Sequence, residues 1–591
     1  MPATWQIDPS QASNLGSNRV ARGPELSGLL GAGDEVLYRN GFYHDGNGVD
    51  GFLRDYLELD NLTIGNYGSG LRAQLDPRVW LPAGSGGWTL VRTTGGKKAY
   101  RSKPVASPTA ALRRLWIGAQ NNGIEIGARF DGLSLGRPPG SNGGLDYDIE
   151  DSFGLADEAT VLDRLFAANT EQGRLWCSLV GSVAADRVVY MIVPSLSPSD
   201  TPDNWYGGIA LLQVGGGSAI GGASPAGLRF RNCANVLVDG LNIGGGAAAL
   251  QVAPNTTKAT TGLTVRNCDL TYWWSRGLQV NGSGSFGNSS ILLEDLSVDA
   301  KPTEDEQEPR TGKGWFGGAE SIEATSNAAA APLTNFTLRR TTVRGLQHNA
   351  INVAPASNGA GGVVSGILIE FNTVIAEDWE TDVRPMAVHG ISGPASGNLV
   401  RGNVFKNCCT EAEFSGQLKV LCNWWLGMRR SVSQPTLSTC VRLGPNGDRD
   451  QATTALEFSY NQLLGCPETP IRILAGKENI PAGGITVAWN LLQMVGSVTD
   501  VAWNIRNNFS AYSFATDAIR LIGNHVERAN PATLLWRTTG SSAQVSNGVG
   551  AGPSGGSGAD AITYIGNTTG TRLTPIPSSV YPPPAAVPMF G

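Results

Sequence analysis

The chain has 591 residues, a formal net charge of −6 and only 16% charged residues. Such a balance offers no basic surface of the kind nucleic acid needs, and no apolar run is long enough to span a membrane. The 78 glycines, set in an Asn-, Ser- and Thr-rich background, suit many short strands and tight turns. A solenoid of such units escapes the usual size limit on a single core.

Residues 1–30 read as an extended lead-in or anchor peptide. The opening MPATWQIDPSQASNLGSNRV has no basic segment followed by an apolar core, so no secretory signal is expected. The chain is then expected to be cytoplasmic in origin or part of a particle assembled there. Strand-like segments follow at GAGDEVLYRNGFYHDG (31–46), LDNLTIGNYGSG (59–70), GGWTLV (86–91), RLWIGA (114–119), ARFDGLSL (128–135), RLWCSL (174–179) and RVVYMIVPS (187–195). They are expected to be opening coils, with inserted segments, over 31–223. Between them, the spacing of Leu155, Val161, Leu162, Leu165 and Phe166 predicts a short helical insertion. Regular coils are expected over 224–544. A Gly/Ser linker, a last strand and a Pro-rich tail that cannot extend a sheet fill 545–591.

The strongest signal is a returning phrase: ILIEFN (367–372), NLVRGN (398–403), LEFSYN (456–461), ITVAWN (485–490), IRLIGN (519–524) and ITYIGN (562–567). In each, a period-2 strand runs into a bend marked by Asn. The Asn spacings are 31, 58, 29, 34 and 43 residues, and 58 reads as two repeats of 29. Short strands at this period with no helical pattern between them predict a single-stranded parallel β-helix. Stacked coils would bring the Asn residues into a ladder, with the Asn itself expected to take the left-handed bend.

The phrase GDEVLYRNG followed by LTIGNYGSG resembles the opening coils of the pectate-lyase-like, right-handed parallel β-helix proteins, many of which are polysaccharide-active enzymes or phage tailspikes. The resemblance implies an all-β, right-handed fold with a small N-terminal cap and the helical insertion. It also implies a homotrimer acting on a cell-surface polysaccharide. It carries no catalytic signature.

Cys177, Cys233, Cys268, Cys408, Cys409, Cys422, Cys440 and Cys466 lie mostly in strand-like segments and are expected as buried free thiols. None has paired CxxC spacing, and no Asp/Glu cluster suits calcium, so neither a metal nor a cofactor is expected.

After the Asn bend each coil has another strand. Leu278-Gln279-Val280, Ile322-Glu323-Ala324, Ile351-Asn352-Val353, Met386-Ala387-Val388, Val441-Arg442-Leu443 and Ile471-Arg472-Ile473 are read as stacked triplets. Their central residues then form an outward polar stripe, with Arg276, Glu320, Asn349, Arg384 and His389 beside it. Three stretches read as loops border it: 299–318, 376–385 and 410–431. They supply Trp274 (just upstream), Trp315, Trp379, Trp424 and Trp425 as candidate platforms for sugar rings. With Asn352, Arg384, Arg442 and Arg472 these make the expected substrate-binding set.

Glycoside hydrolysis needs two carboxylates, about 6.5–9.5 Å apart for inversion. Glu320 or Glu323 is cast as acid, and Asp378 or Asp382, two coils on, as base. A lyase would use Arg384, Arg442 and Arg472 to neutralise a uronate and His389 as base. The leading expectation is a tailspike-like virion appendage that binds and degrades a host surface polysaccharide, attached to a virion tail protein. The alternatives are a free, secreted carbohydrate-active enzyme of the same fold and a non-catalytic structural spike or adhesin.

Overall fold

The computed structural model describes residues 2–12, 18–44, 56–75, 226–300, 320–390, 397–429, 439–475, 479–507 and 514–571, with short gaps. Within 76–225 it describes only strands and a few helical residues. Each turn of the chain gives one short strand to each of three sheets. In one turn these are Thr264–Arg266, Asp269–Thr271 and Arg276–Gly282; in the next, Asn288–Glu294, Ser297–Asp299 and Glu320–Ser326. Each strand pairs in parallel with its counterpart one turn away, so backbone donors and acceptors are satisfied between turns. The second sheet runs to 13 strands. The chain is thus an all-β parallel β-helix. Inward-facing apolar residues repeat from turn to turn, and Leu278, Ile322, Ile351, Met386, Ala412, Val441 and Ile471 stack along one wall of the continuous core.

The N-terminal residues cap this stack. Thr4–Ile7 lies between Arg19–Val20 and Glu35–Arg39, and Ile7, Val20 and Leu26 are fully buried. They cover an end that would otherwise expose unpaired strand edge and apolar core.

The opening coils differ from the sequence expectation. Glu35–Arg39 and Thr63–Tyr67 do stack as coils, but Thr63 and Ile64 pair directly with Leu237 and Val238, and Gln74–Leu75 pairs with Asn242–Ile243. Residues 76–225 therefore leave the stack partway through one turn and return to complete it. Inside this excursion the strands are antiparallel. Val79–Leu81, Ala111–Ile117 and Ile209–Val214 form one sheet, and Trp88–Thr94, Lys97–Ser102, Leu179–Val183 and Asp186–Val193 another. Segments read as coils from 86 to 195 belong to this insertion or, like 128–135, lie outside the described residues. The helical expectation holds for Glu158, Ala159, Leu162, Asp163 and Phe166. Leu162 is buried, and Glu158 and Asp163 pair with Arg101 (2.7 Å) and Arg92 (2.5 Å) of the four-stranded sheet.

The Asn ladder has seven rungs: Asn372, Asn403, Asn423, Asn461, Asn490, Asn524 and Asn567. Each Oδ1 from Asn403 onward accepts both the backbone N–H and the side-chain amide of the rung before it, at 2.8–3.1 Å. Two corrections follow. The 58-residue step divides at Asn423 into 20 and 38 rather than into equal halves. The left-handed residue is the one before each Asn: Phe371, Gly402, Cys422, Tyr460, Trp489, Gly523 and Gly566. Upstream, Leu241, Cys268, Leu296 and Thr341 occupy the Asn position.

Cys233, Cys268, Cys408, Cys409, Cys440 and Cys466 are buried thiols and Cys422 is half-buried, while Cys177 lies outside the described residues.

Candidate functional site

The third sheet carries the polar stripe in the register expected, plus one turn the sequence reading missed. Gln251, Gln279, Glu323, Asn352 and Ala387 pair in succession, then Glu413, then Arg442, Arg472 and Asn504. The missed turn is built from Ala412–Leu421, a single strand whose first half pairs in the third sheet and whose second half pairs in the first. Its Ala412-Glu413-Phe414 is the same apolar-polar-apolar triplet as its neighbours. That pattern was the available signal, hidden inside a stretch read as a loop.

That stretch also supplied two expected Trp platforms, and the structure corrects both. Trp424–Leu426 is a strand of the second sheet, paired with Val404–Lys406 and Gln462–Leu464. Trp425 points inward and is fully buried against Phe405 (4.9 Å) and Phe458 (5.7 Å). Trp424, half-buried, stands on a different sheet from the stripe. Trp274, Trp315, Asp378, Trp379 and Asp382 lie outside the described residues.

On the third sheet two clusters form. The upstream one centres on Glu320 and Glu323, three residues apart on one strand. Glu320 accepts from Asn349 (3.0 Å) and Asn352 (2.7 Å) of the next turn, and Glu323 from Arg276 (2.6 Å) and Gln279 (2.9 Å) of the previous one. Glu320 is only 2% exposed. Burial pushes its carboxyl above the ordinary range and the charge of Glu323 adds to the rise, against Arg276, Asn352 and Asn349. The cluster therefore sets a carboxyl of raised pKa beside a carboxylate paired with a guanidinium. Asn352, fully buried, keeps its Oδ1 without a partner.

The downstream cluster centres on Glu413. Arg384 (3.0 Å), Arg442 (3.1 Å) and His389 (3.6 Å) surround its carboxylate, and His389 Nδ1 lies 3.1 Å from Ser415 Oγ. Burial alone would raise the Glu413 pKa; the two arginines and the His389 hydrogen bond override it and hold it far below the carboxylate range. On the same turn, Glu411 accepts from Thr439 (2.6 Å) of the next turn and is ion-paired with Arg472 of the one after. The arginines expected to bind substrate are thus engaged with Glu413 and Glu411, which sequence reasoning had not singled out. Nε of Arg384 and of Arg472 is buried without a hydrogen-bond partner.

Register fixes the spacing along the stripe. Glu320 pairs with Asn349, which pairs with Arg384, so those strands lie about 9.6 Å apart. Glu413 stands three turns from Glu323, about 14 Å, too far to be the second carboxylate of a glycosidase pair with it. Among the described residues no group of three His, Cys, Asp or Glu could hold a metal ion, and no helix is long and apolar enough to cross a membrane.

No family profile matches the chain, and no characterised protein matches it in sequence. Solved structures it resembles include XylC in complex with xylose, at 9% identity and a TM-score of 0.29 over 91% of this chain and 69% of that one. Others are tailspike gp61 of Pseudomonas phage phi297 (11%, 0.27, 84% and 63%) and a glycoside hydrolase (8%, 0.34, 96% and 97%). The chain thus spans less than two thirds of the tailspike's length. Likenesses this remote carry no argument about activity.

Proposed function

We propose that the outer face of the third sheet binds a cell-surface polysaccharide and hydrolyses it, with Glu320 as general acid. The observation that carries this is Glu320 itself, a carboxyl buried on the outside of a solenoid and held above its ordinary pKa by burial and by Glu323. An acid must keep its proton near neutral pH to deliver it to a leaving oxygen. Asn349 and Asn352 hold its two oxygens in place, and Arg276 holds Glu323. The base on this reading is Asp378 or Asp382, which in sequence precede the third-sheet strand Arg384–Gly390. The lyase alternative loses ground because Arg442 and Arg472 already pair with carboxylates of this chain.

On this reading the protein is a virion tail appendage working as a homotrimer. The test is incubation with a panel of bacterial surface polysaccharides. New reducing ends that vanish in Glu320→Gln support hydrolysis. Unsaturated sugar products, or binding without cleavage, overturn it. Mass photometry separates a three-chain appendage from a single-chain enzyme.

A further inference from the structure

We propose that Cys440 and Cys466 are joined by a disulfide that staples two successive coils from within the core. Their Sγ atoms lie 2.7 Å apart. Even carbon atoms in close-packed contact sit about 3.5–4.0 Å apart, and a disulfide bond is about 2.05 Å long. The two sulfurs are therefore well inside contact distance.

Local backbone geometry produces this meeting. Cys440 immediately precedes the third-sheet strand Val441–Leu443, and its carbonyl accepts from Ala412 N at 2.9 Å, which fixes its position in the turn. Cys466 ends the second-sheet strand Gln462–Cys466 of the next coil. In a regular strand Leu463 and Cys466 would point to opposite faces. Both are fully buried, because the register against Leu491–Met494 shifts between them and Gly465 takes a positive φ of 75°. This bulge turns Cys466 into the core, and its side chain ends on Cys440.

The step oxidises two thiols to one disulfide. A thiolate attacks a small-molecule disulfide such as oxidised glutathione, forming a mixed disulfide and expelling one glutathione thiolate. The second cysteine, as thiolate, attacks the mixed disulfide and expels the other, and the two protons given up by the cysteines end on the two glutathione thiols released, so glutathione is reduced as the cysteines are oxidised. Both residues are at most 1% exposed, and burial holds the Cys440 thiol well above its ordinary pKa, so exchange belongs to the stage before the coils close.

The full-length chain should be refolded in a glutathione redox buffer, quenched with an alkylating reagent and mapped without reduction. We expect a linked peptide pair holding Cys440 and Cys466, and six of the eight cysteines alkylated in denaturant. Cys466→Ala should leave Cys440 fully alkylated. Recovery of all eight as alkylated thiols, or a link from Cys440 to the nearby Cys408, overturns the proposal. If Cys466→Ala does not fold, the wild-type map alone decides between these outcomes.

Discussion

Asn403 Nδ2 donates to Asn423 Oδ1 at 2.9 Å although only 20 residues separate them, the shortest step in the ladder. The same Oδ1 accepts the buried backbone N–H of Asn403 at 3.0 Å. Asn423→Ala removes the one oxygen that accepts both bonds and strands two donors in the core, at about 1–3 kcal/mol per unsatisfied group. Asn567, at the foot of the ladder, is half-buried, and water can replace what Asn567→Ala removes. Urea midpoints should therefore fall clearly further for Asn423→Ala. Equal losses would mean the ladder contributes nothing as a buried network.

Glu320→Gln should abolish most hydrolysis, by about 10²–10⁴-fold, while leaving the coil intact. It should also change stability in a definite direction. Below the ordinary carboxyl value of 4.5 the folded and unfolded chains both hold the proton. As pH rises above it the unfolded chain releases the proton first, so the fold loses stability until the raised folded pKa is passed. Glu320→Gln lacks that loss and should be the more stable protein at neutral pH. A denaturation series from pH 4 to 8 on both proteins checks the sign; a less stable variant throughout would remove Glu320 from the acid role.

How far the sequence could be read followed from pattern strength. The stacking of Gln279, Glu323, Asn352 and Ala387 was legible because two inward apolar residues flank each one and repeat at nearly constant spacing. Glu413 was lost because its coil closes without a separating loop, the strand turning from the third sheet into the first at Gly416. Two uneven turns then summed to the same 58 residues as two even ones. Asn423 itself ends Leu418-Lys-Val-Leu-Cys-Asn423, a copy of the repeated phrase. The insertion was misread for another reason. Alternating apolar residues in Trp88–Thr94 or Asp186–Val193 define a strand's inward face but not the direction of its partner. Trp425 shows the limit for aromatics: a WW pair on a strand puts one ring in the core and the other outside.

The Glu413 cluster should respond oppositely to pH. Arg384 and Arg442 lower its folded pKa, so the stability it contributes is present above the ordinary value of 4.5 and fades as pH falls below it. Glu413→Gln leaves the buried Arg442 and the half-buried Arg384 without their shared carboxylate, a loss of about 3–5 kcal/mol at neutral pH. Its stability should then vary less with acid than the wild type's. A variant whose urea midpoint tracks the wild type at every pH would show the cluster to be energetically neutral.

Gly523 and Gly566 occupy the same bend on successive coils, with φ of 61° and 65°, yet they differ in what lies beside them. A Cβ on Gly523 would come within 2.3 Å of the Trp489 ring from the coil before, whereas one on Gly566 would meet nothing closer than 4.0 Å. Alanine at either position bears the left-handed backbone cost of about 1–2 kcal/mol. Only Gly523→Ala adds a clash with an indole ring packed over the bend, so it should lower the denaturation midpoint more than Gly566→Ala. Combining it with Trp489→Ala should bring the two glycine positions level, because truncation removes the ring and leaves the backbone cost. If the gap persists without the indole, its cause is the backbone at that bend and not the aromatic side chain stacked on it.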